Sequence, residues 1–404
     1  MLAARADLPL KPDFAPLHDA GRVAIAVSGG SDSMALLRML LQWVSTQSKP
    51  PVISVLTVDH RLRIESANEA RAVAGWCGLL GVRHVILPWV GEKPTTGIQA
   101  KARAARYELM THWCLENGVP VLLTGHTADD QNETVIMRGQ RTQSVRSLAG
   151  IWPQREWNGI KILRPLLDLK RKELRAFLMS VGQDWLDDPS NDNRRFERVR
   201  IRQDSASGKG DMGSLAALAQ ARVREAEDFA RRWIEEHTET STLGLTTCQL
   251  KALTGIKPLA ADAVLLNLLN LTGRRPPPER EHRQNLLDWL SSDALGRRTL
   301  GGAVFIKRKT TLCVAREAGR ISDTSIPVPA SGQVLWDGRF TVEGPAGALI
   351  QPLRAWGDLP HKDVPQFLRL GLPAAMIDGN LAFVPHLMPN HLFNYQFIKD
   401  GARG

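Results

Sequence analysis

Six residues carry the strongest chemical signal in this chain. They are Ser28-Gly29-Gly30-Ser31-Asp32-Ser33, directly after the run Arg-Val-Ala-Ile-Ala-Val and directly before a helix-forming segment. Glycines let a backbone approach a ligand and adopt positive φ. The start of a helix aims free N–H groups and its dipole at whatever precedes it. Three serine hydroxyls add donors. Together they make a cradle for a phosphate-sized anion. The pattern is neither GxxxxGK[ST] nor GxGxxG, so the two familiar nucleotide loops are excluded. Asp32 suits phosphate poorly by itself, and a Mg²⁺ ion bridging carboxylate and phosphates suits it well. The bland alternative is a strand-to-helix turn capped by Asp and Ser.

Two further segments bring polar groups. One is Thr57-Val58-Asp59-His60-Arg61-Leu62-Arg63, and the other runs from Thr124 through Gly125, His126, Asp129, Asp130 and Glu133 to Thr134. On a helix opened by Asp129, the pairs Asp129/Glu133 and Asp130/Glu133 share a face. Paired carboxylates near a polyphosphate point to Mg²⁺ ligation or to orientation of an amine nucleophile; capping of the helix by its acids is the alternative. His126 reads equally as a structural histidine. Lys101, Arg103 and Arg106 lie on one helix, with Arg103 and Arg106 facing together, and fixed guanidinium groups suit phosphate oxygens.

These groups need a scaffold that collects them. Short β-branched runs at Val23–Val27, Val52–Val58, His84–Leu87 and Val119–Leu123 alternate with helical patterns at Asp32–Val44, Glu65–Leu80 and Gly97–Glu116. That alternation predicts an α/β doubly wound parallel sheet. The runs are apolar throughout, as strands covered on both faces are. Such sheets place ligands at the carboxyl ends of their strands, where all three polar segments fall. Gly139 to Gly159 breaks the pattern and reads as a functional loop or a poorly packed excursion. A helix is expected over Asp168–Val181, then an Arg-rich stretch, then a linker at Ser205–Gly210. Helices are expected at Ser214–Glu239 and Pro258–Leu271, with a basic connection at Arg274–Arg283 and a hairpin across Gly302–Arg316. The expected division is 1–204 as the catalytic domain, 211–320 as a mainly helical middle domain and 321–404 as a small β-containing domain.

The chain has 404 residues and a formal net charge of +10, with 43% apolar and 23% charged residues. That balance excludes disorder as the main state. No apolar run approaches the roughly 20 residues of a membrane helix, and the first twenty residues lack a secretory core, so no membrane and a cytoplasmic setting are expected. Cys77, Cys114, Cys248 and Cys313 form no CxxC pair, which argues against a disulfide framework or a cysteine-held metal. The basic excess fits a polyanionic partner.

SGGxDS after the first strand resembles the signature of the PP-loop ATP pyrophosphatases, with their adenine nucleotide alpha hydrolase-like fold. VDHRLR, KARAARY, TGHTADDQNET, RPLLDLKRKEL and DPSNDNRRFERVRIR, in that order, resemble segments of the tRNA(Ile)-lysidine synthetase family. The resemblance runs from about Val23 to Arg202 and thins beyond it. Arg61 stands where the family has glycine, Val199 where it has asparagine, and the loop after Met137 differs. The resemblance implies ATP and Mg²⁺, with free L-lysine and an isoleucine tRNA bearing a CAU anticodon as partners. ATP would adenylate the wobble cytidine, and lysine would displace AMP. It implies ATP contacts from Ser28, Gly29, Gly30, Ser31, Asp32, Ser33, Asp59 and His60, and Mg²⁺ on Asp32 and Asp130. Asp32, Arg106, His126, Asp130 and Glu133 would form the catalytic set. Arg194, Arg195, Arg198, Arg200 and Arg202 would touch tRNA. A homodimer is left open. The alternatives are a PP-loop tRNA thiolase and a non-catalytic RNA-binding relative.

Overall fold

The computed structural model describes residues 10–61, 66–91, 96–142, 144–187, 201, 212–273, 276–359 and 363–398. The chain divides into two compact units, Met1–Arg222 and Val223–Gly404.

The first unit is built on the alternation expected. Strand β1 (Arg22–Ala26) leads to helix α1 (Ser31–Val44), β2 (Val52–Asp59) to α2 (Ser66–Leu79), β3 (Arg83–Pro88) to α3 (Ile98–Glu116), and β4 (Val121–Thr124) to α4 (Ala128–Arg141). The sheet order is β3-β2-β1-β4 followed by two strands that the sequence does not announce, the second in the chain lying just past the Gly139–Gly159 loop and the first within it. After the short helix α5 (Val145–Leu148), β5 (Gln154–Trp157) and β6 (Ile160–Leu163) form a hairpin. Strand β6 pairs parallel with β4, and β5 closes the edge antiparallel. The missed strand β5 is Gln-Arg-Glu-Trp, so no apolar run marks it. The sheet is therefore parallel over five strands with one reversed edge.

Alternating residues of one strand face opposite layers. Val23, Ile25, Val121 and Leu123 pack with α1, α2 and α6 (Arg171–Ser180), through Met34, Leu37, Val73, Leu174 and Phe177. Ala24, Leu56 and Leu122 pack on the other face with Tyr107, Met110 and Trp113 of α3. Helix α6 starts three residues later than the expected Asp168. The strand order reverses between β1 and β4, so the loops leaving these two strands flank the switch point where such sheets bind ligands.

In the second unit, helices Pro258–Asn270 and Arg280–Ser291, with the later part of Met212–His237, cover an antiparallel five-stranded sheet. The expected hairpin is present as Ala303–Lys307 paired with Thr311–Arg316. The basic connection is shorter than expected, because a helix already begins at Arg280. The last residues form a four-stranded and a three-stranded antiparallel sheet around Trp336, Phe340, Ile350 and Phe383.

Asp337 joins these parts. It accepts from Nε of Arg316 at 3.0 Å and from Nε of Arg339 at 2.8 Å, and both arginines are buried. Removing a buried charge leaves its partners uncompensated. Asp337→Ala is expected to destabilise this unit by about 3–5 kcal/mol, read by denaturant unfolding of the variant.

Candidate active site

The site begins at the end of β1. Val27 N–H donates to Leu56 O, continuing the ladder. The Val27 carbonyl accepts from Thr57 Oγ1 at 2.7 Å, and Thr57 Oγ1 lies 2.8 Å from His84 Nε2. Thr57 has one proton and gives it to Val27, so His84 Nε2 carries the hydrogen and donates. A relay across β3, β2 and β1 thus fixes the point at which the Ser28–Ser33 loop departs.

The loop holds its own shape. Ser33 Oγ donates to Gly30 O at 2.9 Å and accepts from Ser28 N–H at 3.2 Å. Ser33 is therefore a loop builder, while Ser28 is exposed at the rim. Gly29 has φ of +90°, and a Cβ there would lie 2.6 Å from Leu186 Cδ1. Leu186 N–H in turn donates to Gly29 O at 2.9 Å, closing the segment after α6 over the loop. Gly30 caps α1 without a side chain, so the first-turn N–H groups face the loop.

From the other side of the switch comes Gly125-His126-Thr127. Gly125 passes so close to α1 that a Cβ would stand 3.1 Å from the Asp32 carbonyl oxygen. His126 Nε2 lies 3.2 Å from Arg103 Nη2, and its Nδ1 lies 3.0 Å from Thr124 Oγ1. Arginine only donates, so Nε2 accepts and Nδ1 carries the hydrogen.

The carboxylates take distinct places. Asp32 sits in the first turn of α1, and burial raises its pKa above the ordinary carboxylate value. The Arg171 guanidinium pulls the other way, with Nε 2.9 Å from Asp32 Oδ2 and 3.2 Å from Oδ1, while nearby Asp130 adds to the rise. Asp130 Oδ2 accepts from Thr127 N–H at 3.0 Å as part of a capping box, and its Oδ1 lies 3.8 Å from Arg171 Nη2. Asp129 accepts the Arg171 backbone N–H at 2.7 Å and so caps α6 rather than its own helix. Glu133 is buried in α4. A hard ion such as Mg²⁺ takes one or two carboxylates, completed by phosphate and water. Asp32 and Asp130 fit that donor set. Among the described residues there is no cluster of three or more His, Cys, Asp or Glu able to hold a metal.

Arg103 and Arg106 both reach Tyr107, with guanidinium carbons 5.3 Å and 5.8 Å from the ring centre. Arg155 lies 5.5 Å from the same ring and 4.2 Å from that of Trp157. Burial would raise the Tyr107 phenol, yet Arg103, Arg164 and Arg106 hold it below its ordinary value. Asp59 and His60 leave the end of β2. Asp59 Oδ1 accepts from Arg61 N–H at 3.0 Å and Ser66 Oγ at 2.7 Å, and His60 meets Trp89 edge-on. Asp59 thereby holds the following turn, in which Arg61 has φ of +51°. That conformation is the one glycine favours. Arg194, Arg195, Arg198, Arg200 and Arg202 lie outside the described residues.

Sequence reasoning gave no role to Arg171, Arg164, Arg155 or the Thr57–His84 relay. Arg171 had a readable signal. Lys170-Arg171-Lys172 at a helix start opposes the helix dipole, which is tolerable only beside carboxylates.

The PP-loop domain family matches residues 4–206. The chain is 36% identical to the tRNA(Ile)-lysidine synthase of Rhizobium meliloti, over 91% of this chain and 82% of that one. It is 37% identical to the tRNA(Ile)-lysidine synthase of Hyphomonas neptunium, over 78% and 87%. Among solved structures, a U34-tRNA thiolase from Methanococcus maripaludis aligns over 52% of this chain and 75% of that one, at TM-score 0.46 and 16% identity.

Two outcomes follow from this geometry. Gly125→Ala must displace the start of α1, so nucleotide binding should weaken on the order of tenfold, read by titration calorimetry with ATP. Burial depresses the His84 imidazole below its ordinary 6.5. The neutral form is thus favoured in the folded chain. Its contribution is complete above about pH 6.5 and is lost as pH falls through the depressed value. His84→Gln, which keeps a donor to Thr57, should lose less Tm than the wild type between about pH 7 and about pH 5.

Proposed function

The chain belongs to the tRNA(Ile)-lysidine synthase family of PP-loop proteins, and from that premise we propose the reaction it runs. ATP adenylates O2 of the wobble cytidine in an isoleucine tRNA with a CAU anticodon, and pyrophosphate leaves. The ε-amine of free L-lysine then bonds to C2 as the C2–O2 bond breaks, and AMP carries the oxygen away. Cytosine O2 by itself is a poor leaving group; as AMP it is a good one. The protein is a ligase in this reading, working in the cytoplasm, and no helix among its described residues is long and apolar enough to cross a membrane.

The observation that carries this reading is the meeting of the Ser28–Ser33 loop, Asp32 and Asp130 at one strand switch, in a chain alignable with the family over most of its length. The loop amides and Ser28 and Ser31 hydroxyls would receive the β- and γ-phosphates and stabilise the leaving pyrophosphate with donors already in place. Asp32 and Asp130 would hold Mg²⁺, which when bound neutralises phosphate charge. Arg103 and Arg106, pinned on Tyr107, balance negative charge on the activated nucleotide. Asp59 and His60 border the nucleotide from the end of β2. Lysine's amine is mostly protonated at neutral pH and must lose a proton to attack. Glu133 or Asp130 would orient it and take that proton, with His126 holding Arg103 in place.

A base presented from a single-stranded loop needs backbone contacts around it. Arg194, Arg195, Arg198, Arg200 and Arg202 are proposed to supply them. We assign the tRNA body to residues 211–320, with 321–404 as a small C-terminal domain that shares a core with it. A cavity of about 790 Å³ in that region is lined by His282, Arg298 and Arg320 beside the Gly301-Gly302 turn. The thiolase alternative needs a reactive, accessible thiol. Cys77 and Cys114 are instead buried, with thiols pushed up to about 11 and about 12.

The reading is tested with labelled ATP, free lysine and a CAU-anticodon isoleucine tRNA transcript. AMP and pyrophosphate should appear only with the tRNA, labelled lysine should end on it, and Asp32→Ala should abolish both. ADP release, or AMP without lysine incorporation, would sink it. Arg298→Glu with Arg320→Glu should weaken tRNA binding and lower the slope of log K against log salt by about one per lost phosphate contact; an unchanged slope removes this cavity from the tRNA path.

A further inference from the structure

Arg171 stands beside the two carboxylates that would hold a metal ion. Its guanidinium spans the two carboxylates, with Asp32 at 2.9 Å and Asp130 at 3.8 Å, and all three side chains are mostly withdrawn from water. Its backbone is tied too, through the N–H donated to Asp129. Arg175 lies one turn further along α6, on the same face. Its Nε is 3.4 Å from Ser31 Oγ, and its Nη2 is 2.7 Å from Asp187 Oδ1. Helix α6 therefore turns two guanidinium groups toward the loop. Two uncompensated carboxylates there would carry −2 and repel a polyphosphate. With Arg171 between them the charge is −1. A divalent ion and a guanidinium at contact distance from the same carboxylates repel each other, so each weakens the other's hold, and guanidinium groups bind phosphate well in forked geometry.

We propose that Arg171 is a resident counter-cation: it neutralises Asp32 and Asp130 in the nucleotide-free protein, yields them to the metal when metal and nucleotide arrive, and turns to the phosphates beside Arg175. Arg171 is a positioning residue in this account, and the account rests on the nucleotide and metal assignments of the proposed function. Its consequence is ordered loading. Metal alone binds poorly because Arg171 competes for the same oxygens. Metal with nucleotide binds well because the phosphates give the guanidinium a new partner.

The test uses Mn²⁺ as a spin probe, titrated into the full chain without nucleotide and followed by the EPR signal of free ion. Arg171→Met should bind Mn²⁺ at least about tenfold more tightly than the wild type. Arg171→Lys, which keeps the charge, should stay within a few-fold of it, and Arg171→Met with Asp32→Asn should lose the gain. A folded Arg171→Met variant that binds Mn²⁺ no more tightly than wild type overturns the proposal, because a purely structural arginine would change Tm and leave metal affinity where it was. If Arg171→Met does not fold, the wild type gives the reading directly. The ¹⁵Nε resonance of Arg171 should move when Mg²⁺ and a non-hydrolysable ATP analogue are added together and stay in place with Mg²⁺ alone; an unmoved resonance with both overturns the handover. None of these readouts needs tRNA or lysine. A wild type that makes no lysidine while Arg171→Met gains Mn²⁺ affinity would refute the proposed reaction and leave the counter-cation standing.

Discussion

The ion pair between Arg171 and Asp32 ties together elements that are far apart in sequence. Asp32 opens α1, Asp130 opens α4, and Arg171 opens α6. Three helix starts converge at the carboxyl ends of β1 and β4, where positive ends of helix dipoles would favour anions. Carboxylates placed there are stabilised by the dipoles and penalised by burial, and burial wins at Asp32. A cation must stand between them, and the fold supplies one from α6. The packing of α1 against α6, through residues such as Leu37, Leu174 and Phe177, is what makes that supply geometrically reliable.

Around this ion pair the backbone is held by contacts that tolerate little change. Gly29 and Gly125 are positions where a Cβ would strike Leu186 or the first turn of α1. The Val27 carbonyl is fixed through Thr57 and His84. The loop spends its Ser28 amide on Ser33 Oγ and turns the amides at the start of α1 toward the ligand side. Its shape therefore comes from side chains such as Ser33 and from neighbours such as Leu186. Arg61 shows the same economy with a different residue: its left-handed backbone, which glycine would adopt freely, is held by Asp59 through the Arg61 amide.

The second unit solves a different problem. Its sheets are small, and short strands alone bury little apolar surface. Asp337, between Arg316 and Arg339, supplies a directional tie where the apolar core ends. Lys307 does similar service by donating to the Trp289 carbonyl at the end of helix Arg280–Ser291. These buried cations belong to the architecture. Cations at the surface, such as Arg320, remain available to solvent and ligands.

The alternating apolar runs and helical patterns of the first 130 residues determined the α/β class, because strands covered on both faces and helices of a dozen residues leave unambiguous periodicities. SGGSDS, directly after a strand, marked the turn proposed to receive an anion, and two acidic segments follow the ends of later strands. The sequence did not reveal β5, whose four residues are polar or amphipathic and whose strand state depends on pairing with β6. Nor did it reveal that Asp129 caps a helix 42 positions further on, or that Arg171 lies between Asp32 and Asp130. Local pattern fixes which face of an element is apolar and which residues begin it. Charge pairing across the sheet depends on which helix starts meet, and only the packing of α1, α4 and α6 around the strand switch decided that.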